Sequence, residues 1–326
     1  MLVSDLYQKT LVDPSTESDH LYIVSGYASA IFARRHLQDL LSQSPKTVVN
    51  LIVGMSGQRN DHLSFVQLHK EFKGRFNGFY FDGSPQVHCK VYGWFNGKSS
   101  VVGFAGSANY SQYGFFENQQ RNQMSFEKPE LIRGLYDELL PQSLYIPDLI
   151  LDVPQGHPPR GRDGRRTTWT EIVWEIPDVR VRISFLDDRG FLPDTSGINW
   201  GQRLAKSTTK DGEIRWTPRE KNQSYLSLKK DSRRDGFLPP RAIRFSLVTD
   251  DGESFDCVRA QDGDKAIHTT DNNSILGRYL RKRFGVPEGG LVTKDHLLKY
   301  GRTDFTIEKL DEETFLLDLS VGMKVI

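Results

Sequence analysis

One stretch of the chain, residues 86–124, constrains the fold more than any other. It contains His88 and Lys90 in a run where apolar residues take the alternate positions. Side chains two residues apart on a β-strand project from the same face. The pattern therefore predicts a strand that carries an imidazole and an ammonium group side by side.

A second strand, residues 99–104, is predicted directly after the first. The Asn-Gly pair at 96–97 between the two strands is typical of a β-hairpin turn. Gly106 ends the second strand, and Ser107 and Asn109 follow in a turn. The hairpin is expected to bring the imidazole, the ammonium and the carboxamide of Asn109 to one edge of a sheet.

These three groups suit attack on a phosphodiester. An imidazole can act as the nucleophile, and ammonium and amide donors can hold the phosphoryl oxygens as negative charge builds. A lone H-x-K in a chain with eight histidines is more often a surface pair on a strand. The Gly-Ser-x-Asn turn after a second strand favours the catalytic interpretation. Such a site needs no metal, and two cysteines with scattered histidines form no zinc pattern.

The order H-x-K and then G-S-x-N resembles the motif of the phospholipase D superfamily. The matching residues are His88, Lys90, Gly106, Ser107 and Asn109. The resemblance covers residues 1–150 and implies an α/β domain, with a mixed sheet flanked by helices. It also implies a covalent phosphohistidine at His88, with Lys90, Ser107 and Asn109 as further catalytic residues and no cofactor.

Two positions depart from the family pattern. The family has an Asp seven residues after its His, and that position is Phe95 here. The nuclease branch has a Glu about eleven residues past the Asn, which orients the His; that position is Gln120, with Glu117 nearby. Gln120 and Glu117 are both candidates for this role. A Gln can accept the imidazole N–H but does not offset a positive charge as a carboxylate does.

Strand and helix patterns alternate through the first half of the chain, which predicts an α/β layer structure. The other predicted strands are 21–25, 47–53, 78–81 and 122–126, and the predicted helices are 28–42, 60–72 and 129–140. Residues 153–168 are rich in Pro, Gly and Arg without periodicity, which predicts a linker. The predicted domains are therefore 1–152 and 169–326.

The second half has the rhythm of many short strands, which predicts an antiparallel barrel or sandwich. The predicted strands are 171–176, 179–186, 224–228, 243–248, 254–260, 303–310 and 314–319, with helices at 274–284 and 293–300. This half resembles the mainly β, B3-like pseudobarrel that recognises DNA. A phospholipase-D-like nuclease followed by a B3-like domain is the layout of a small group of restriction endonucleases.

The B3-like resemblance implies two arms that grip the major groove, at residues 196–210 and 270–283. The candidate DNA-binding residues are Asn199, Trp200, Gln202, Arg203, Lys206, Asn272, Asn273, Arg278 and Arg281. Arg can read guanine, and Asn or Gln can read adenine, through bidentate hydrogen bonds. The alternatives are that Asn272 and Asn273 cap a helix and that Trp200 belongs to the core.

Charge is segregated in the second half, although the whole chain has a net charge of only +1. Residues 200–244 contain twelve Lys and Arg against five Asp and Glu, and residues 274–302 contain seven against two. Residues 245–271 reverse this balance, with two against seven. Basic blocks of this kind indicate a surface that follows phosphates, although a solvated face has the same composition.

The leading hypothesis is a metal-independent, sequence-specific restriction endonuclease. The chain has one H-x-K motif, and a double displacement also needs a His as general acid, so a homodimer through the first domain is expected. The expected partners are double-stranded DNA and a cognate DNA methyltransferase. No Walker-type motif occurs, so an ATPase or translocase would be a separate polypeptide.

Two alternatives stay open. One is a phospholipase-D-type lipid hydrolase or transferase, which would need a membrane-binding surface that the sequence does not indicate. The other is a B3-like DNA-binding protein with an inactive nuclease domain, which Phe95 and Gln120 favour. The chain has no secretory signal and no apolar run of membrane-spanning length, so a cytoplasmic location is expected.

Overall fold

The chain forms two compact units, Met1–Asp152 and Val153–Ile326. The computed structural model describes residues 5–55, 59–116, 121–150, 180–208, 211–228, 237–241 and 243–321. The predicted linker 153–168 and the predicted strand 171–176 lie outside the described residues.

A seven-stranded mixed sheet forms the first unit. Its strands are β1 (His20–Ser25), β2 (Val48–Val53), β3 (Phe76–Phe81), β4 (Lys90–Asn96), β5 (Ser99–Gly106), β6 (Met124–Glu127) and β7 (Ser143–Tyr145). They lie in the order β6-β5-β4-β1-β2-β3-β7. Strands β1, β2 and β3 are parallel, and every other neighbouring pair in the sheet is antiparallel.

Helices cover both faces of this sheet. They are α1 (Ala30–Gln43), α2 (His62–Glu71), α3 (Gln112–Phe115) and α4 (Pro129–Leu139). Alternate residues of β1 face opposite sides, as strand geometry requires: Ile23 packs with residues of α1 and α2, and Val24 packs with Tyr136 of α4. The arrangement confirms the predicted α/β domain.

One edge of the sheet collects the ends of three strands. The last residue of β1, Ser25, pairs with Lys90, the first residue of β4. Strand β5 runs antiparallel to β4 and so ends at the same edge. At the opposite edge Asn96 pairs with Ser99, so the hairpin loop is residues 97–98, one residue later than predicted.

A buried histidine supports this edge from within the core. His36 is fully buried in α1, with Nδ1 2.7 Å from the Tyr110 hydroxyl and Nε2 2.8 Å from the Leu11 carbonyl oxygen. Burial lowers the pKa of His36 to about 4, so its imidazole is neutral at physiological pH. The contact fixes Tyr110, the residue next to Asn109.

The second unit is mainly β. Its strands are β8 (Arg180–Ser184), β9 (Leu204–Thr208), β10 (Ile214–Pro218), β11 (Leu226–Ser227), β12 (Arg244–Thr249), β13 (Ser254–Ala260), β14 (Ala266–Thr269), β15 (Asp304–Lys309) and β16 (Thr314–Asp318). Seven of them form one sheet in the order β11-β14-β13-β12-β16-β15-β8. Only the β12–β16 pair in this sheet is parallel. This arrangement confirms the predicted mainly β pseudobarrel.

Two helices, α5 (Ser274–Arg283) and α6 (Lys294–Tyr300), complete the second unit. Leu276 and Leu280 of α5 and Leu297 of α6 are fully buried in one core with strand residues such as Phe245 and Phe305. Both helices were predicted to within one residue of their observed ends.

Strands β9 and β10 form a separate two-stranded hairpin. Every residue of β10 is exposed, including Ile214 and Trp216, which are 54% and 55% exposed. The sequence predicts an arm here but no hairpin, because no buried face imposes an alternating apolar pattern. Short strands β7 and β14 were also missed. Among the described residues, no helix is long and apolar enough to cross a membrane.

Candidate active site

The first half of the candidate site is the pair His88 and Lys90. His88 lies just before β4 rather than inside it, so the strand begins later than predicted. Lys90 Nζ is 2.9 Å from His88 Nε2 and donates a 2.8 Å hydrogen bond to the His88 carbonyl oxygen. An ammonium group can only donate, so Nε2 is the acceptor in this contact and Nδ1 is the ring nitrogen that carries the proton.

The two side chains differ in exposure. His88 is exposed, whereas Lys90 is only 8% exposed. Burial lowers the pKa of Lys90, and the nearby Cys89 thiol partly opposes that effect. Cys89 lies between them in sequence and packs on the other face of the sheet, with the cluster around Val24. The site thus presents an accessible imidazole beside a cation that is largely shielded from water.

The second half of the site is Asn109, in the turn after β5. Its Oδ1 accepts a 3.1 Å hydrogen bond from the Tyr27 backbone N–H and lies 3.5 Å from the Ser25 hydroxyl. This contact fixes the orientation of the carboxamide. Because Oδ1 is used to hold the loop, Nδ2 is the end of the amide that can donate to a bound anion.

Ser25, which is not among the residues predicted from the sequence, joins the two halves. Its backbone pairs with Lys90 in the sheet. Its hydroxyl donates to the Tyr27 carbonyl oxygen at 2.5 Å and accepts from the Tyr110 backbone N–H at 3.0 Å. A polar residue that ends a buried strand at the edge of the motif is the signal that would have identified it.

Gly26 lies against the candidate nucleophile. A Cβ atom on Gly26 would be 2.8 Å from His88 Cδ2 and 3.2 Å from His88 Cα, closer than side chains normally approach. A Cβ on Gly54 would be only 2.1 Å from the Val87 carbonyl oxygen. These two glycines let the ends of β1 and β2 pack closely against the segment that carries His88.

Ser107 holds the motif turn to β6. Its hydroxyl donates to Asn122 Oδ1 at 2.9 Å and accepts from the Gln123 backbone N–H at 3.0 Å. The Gly106 backbone is also close to Gln123, since a Cβ there would be 2.1 Å from the Gln123 carbonyl oxygen. Ser107 is exposed, so its hydroxyl is accessible at the edge that carries Asn109.

The positions that are acidic in the phospholipase D motif differ in where they lie in this chain. Glu117 and Gln120 lie outside the described residues. Phe95 is buried in β4 and makes an edge-on contact with the Tyr22 ring at 5.6 Å. It lies five residues after Lys90, which is about 17 Å along an extended strand. A carboxylate at that position would not reach the imidazole, so the site's geometry does not depend on it.

Two predicted DNA contacts in the second unit have structural roles instead. Asn199 is fully buried; its Nδ2 donates to the Pro193 and Val292 carbonyl oxygens, and its Oδ1 accepts from the Val292 N–H. Arg281 is 1% exposed, and its guanidinium donates to the Gly290 carbonyl oxygen at 2.8 Å. The Asn199 amide is satisfied within the fold, and Arg281 is buried although its Nη2 has no hydrogen-bond partner among described residues, so neither side chain lies at the surface where a base could contact it. The base-contact predictions for Asn199 and Arg281 are therefore corrected.

The other residues of the predicted second arm lie at the start of α5. Asn272 is exposed, and its Oδ1 accepts a 2.9 Å hydrogen bond from the Ser274 backbone N–H, which is the capping alternative. Asn273 is half-buried, and its Oδ1 accepts no hydrogen bond from a described residue. Arg278 is exposed, and it lies 3.8 Å from Glu220 and 3.4 Å from Glu288. Its charge is thus partly neutralised.

The remaining candidates of the predicted first arm differ in exposure. Trp200 is half-buried rather than part of the core. Gln202 donates to the Gly289 carbonyl oxygen at 3.1 Å, so its amide is engaged within the unit. Arg203 is exposed, and Lys206 lies in β9. The DNA contacts of Trp200, Gln202, Arg203 and Lys206 stay predictions.

The described residues contain no group of three or more His, Cys, Asp or Glu side chains arranged to hold a metal ion. The site combines an exposed imidazole, a shielded ammonium group and a fixed carboxamide at one edge of the sheet. This set can supply a nucleophile and donors for phosphoryl oxygens.

Comparison with protein families identifies both units. Residues 4–146 match the model of the NgoFVII restriction endonuclease N-terminal PLD domain. Residues 175–311 match the model of the NgoFVII C-terminal B3-like DNA-binding domain. The chain therefore combines a phospholipase-D-type nuclease domain with a B3-like DNA-binding domain. It belongs to the family of NgoFVII-type restriction endonucleases.

Solved structures give weaker likenesses. NucT from Helicobacter pylori is 15% identical, with a TM-score of 0.31, over 44% of this chain and 97% of that one. Nuc from Salmonella typhimurium, a phospholipase D family member, is 11% identical, with a TM-score of 0.32, over 42% and 89%. Polyphosphate kinase from Porphyromonas gingivalis is 12% identical, with a TM-score of 0.29, over 43% and 22%. These TM-scores are below 0.5 and support no further conclusion.

No curated protein sequence matches this chain significantly.

Gly26→Ala is expected to lower the rate of DNA cleavage at least about 10-fold, because the added methyl displaces the His88 imidazole and misplacement of a reacting group by about 1 Å costs about 100-fold. Gly134→Ala is the matched control, since a Cβ there meets no atom within 4 Å. Single-turnover cleavage and thermal unfolding of both variants test this. Equal cleavage rates in the two variants would show that Gly26 does not position the imidazole.

Proposed function

We propose that this chain is a sequence-specific restriction endonuclease that hydrolyses DNA without a metal ion, through a covalent phosphohistidine at His88. One observation carries the proposal: Lys90 Nζ is 2.9 Å from His88 Nε2, at the edge where Tyr27 holds Asn109 by its Oδ1. These groups provide a nucleophile and two donors, which are the elements of phosphoryl transfer by covalent catalysis.

In the first step, the lone pair of His88 Nε2 attacks phosphorus. A P–N bond forms, the P–O bond to the leaving group breaks, and a general acid protonates the departing oxygen. Lys90 occupies this lone pair in the free protein, so its ammonium must turn to a phosphoryl oxygen when DNA binds. Nδ2 of Asn109 would donate to another of these oxygens. The exposed Ser107 hydroxyl lies in the same turn and would assist in holding the phosphate.

In the second step, water attacks the phosphohistidine, the P–N bond breaks and the imidazole is released. The general acid of the first step becomes the base that activates this water. The chain has one H-x-K motif, so we assign the acid to His88 of a second copy. A two-fold dimer through the first domain would place both His88 side chains at one phosphate.

We assign sequence recognition to the second domain, whose match to a B3-like DNA-binding domain supports double-stranded DNA as the partner. That match also favours DNA over a lipid substrate. A restriction enzyme requires protection of host DNA, so a cognate methyltransferase is the expected companion. An ATPase or translocase, if the system uses one, would be a separate chain. We assign the protein to the cytoplasm, where restriction enzymes meet foreign DNA.

Cleavage of plasmid DNA should persist in excess EDTA, because the cation and amide donors replace a metal.

His88→Ala should abolish cleavage and leave DNA affinity almost unchanged, because the second domain carries recognition. Gel assays of cleavage and anisotropy measurements of binding test both. Loss of cleavage in EDTA with recovery in magnesium would contradict the mechanism, and DNA binding without cleavage by the wild-type chain would indicate an inactive nuclease domain.

Gln120 and Glu117 are the proposed alternatives for the group that holds the His88 Nδ1–H. If Gln120 has this role, Gln120→Glu should equal or exceed the wild-type cleavage rate, because a carboxylate also stabilises imidazolium. Glu117→Ala should then retain most activity. Single-turnover cleavage measures both variants, and severe loss in Glu117→Ala alone would transfer the role to Glu117.

A further inference from the structure

A cluster of one arginine and several aromatic side chains lies at the base of the β9–β10 hairpin. The guanidinium carbon of Arg219 lies 4.1 Å from the centroid of the Trp200 ring. The Trp200 ring in turn packs against Tyr225 at 5.7 Å and His268 at 5.4 Å. An Arg that lies on an aromatic ring keeps its charge but loses orientational freedom. Arg219 is thus presented in one orientation.

Arg203 lies near Arg219 at the end of the β9–β10 ladder. The last pair in the ladder is Leu204 with Pro218, so Arg203 and Arg219 are the next residues of the chain just beyond it. Neighbouring strands lie about 5 Å apart, so the two arginines start from adjacent positions. The Arg203 backbone N–H also bonds to the Trp200 carbonyl oxygen at 3.1 Å, so both arginines contact the same residue, Arg219 through its guanidinium and Arg203 through its backbone.

Neither arginine is neutralised within the described part of the chain. No described carboxylate forms an ion pair with Arg203 or Arg219, and the one side-chain hydrogen bond of Arg219 is a long 3.4 Å contact with Gln223. Glu220, next in sequence, instead bonds to the Ser274 hydroxyl and to Asn222. Nε of Arg219 is buried without a hydrogen-bond partner among described residues.

Two other arginines of this unit are neutralised by carboxylates. Arg278 contacts Glu220 and Glu288, and Arg283 contacts Asp250 and Asp251 at 2.8 Å. Burial lowers the pKa of Arg219, and the like charge of Arg203 lowers it further. Two opposed guanidinium groups without a carboxylate repel each other, and an anion between them would relieve that repulsion.

We propose that Arg203 and Arg219 together hold a phosphate of the DNA backbone at the base of the β9–β10 hairpin. A base edge is read by a single guanidinium in a bidentate contact, whereas two opposed guanidinium groups match the several oxygens of one phosphate. The inference rests on the proposed DNA substrate and adds Arg219, which the sequence analysis did not select. It makes Trp200 a positioning residue rather than a base contact.

The test measures DNA affinity against salt concentration with the full-length chain. His88→Ala is used as the background to prevent cleavage, and the probe is a labelled duplex of mixed sequence. Each phosphate contact contributes about 0.9 to the slope of log affinity against log salt. Because the two guanidinium groups hold the same phosphate, Arg219→Gln and Arg203→Gln should each lose that one contact and reduce this slope by about 1. The affinity lost between 50 and 200 mM salt should then shrink about 3-fold.

Two variants serve as controls. Arg189→Gln removes an exposed arginine that is paired with Asp187 at 3.2 Å, and it should keep the parent slope. Arg219→Lys keeps the charge and should restore most of the slope. Arg203 is exposed, so its substitution tests the pair even if Arg219→Gln destabilises the fold.

The outcomes separate this inference from the proposed function. If both glutamine variants keep the parent slope while the chain binds DNA, the phosphate contact is wrong and the proposed function stands. If Arg219→Gln weakens binding only to a cleavable sequence, Arg219 reads a base, which also overturns the inference. If the His88→Ala chain does not bind DNA at all, the proposed function fails.

Discussion

The hydrogen bonds of the Ser25 hydroxyl hold the candidate active site together. Ser25 pairs with Lys90 through the sheet, and its hydroxyl accepts from the Tyr110 N–H and donates to the Tyr27 carbonyl oxygen. The Tyr27 N–H in turn fixes Asn109. Because Ser25 is fully buried, this hydroxyl is shielded from competing water, so its bonds define the loop conformation. The spacing between the imidazole and the carboxamide therefore depends on the end of one central strand.

The motif residues were predictable because catalysis requires particular functional groups in a particular order. His88, Lys90 and Asn109 could be selected from sequence, and the structure brings them to one edge. Ser25 and Gly26 could not, because their importance comes from packing between residues more than 60 positions apart in sequence. A buried hydroxyl and a close backbone approach leave no periodic pattern. The catalytic roles of the motif residues stay predictions.

In the second domain, too, features with a periodic sequence pattern were predictable, and features that depend on packing were not. Its long strands and both helices followed from apolar periodicity, whereas the β9–β10 hairpin lacks a buried face and was missed. Position in the predicted arms and residue type selected Asn199 and Arg281 as base readers, yet both are buried and bonded to backbone oxygens. Arg219 was overlooked because its exposure to an anion depends on Trp200, nineteen positions earlier. Side-chain chemistry gives candidates, and only burial and partners select among them.

The central claim is that His88 is the nucleophile of a site shared by two chains, and trapping the covalent intermediate tests it most directly. Full-length protein would be mixed with labelled DNA in EDTA and quenched at alkaline pH, because phosphohistidine is labile in acid. Peptide mapping by mass spectrometry then locates and counts the adduct. The account predicts DNA attached to the peptide that contains His88, with no more than one adduct per two chains. An adduct on every chain would contradict the shared site, and cleavage without any adduct on His88 would contradict the nucleophile.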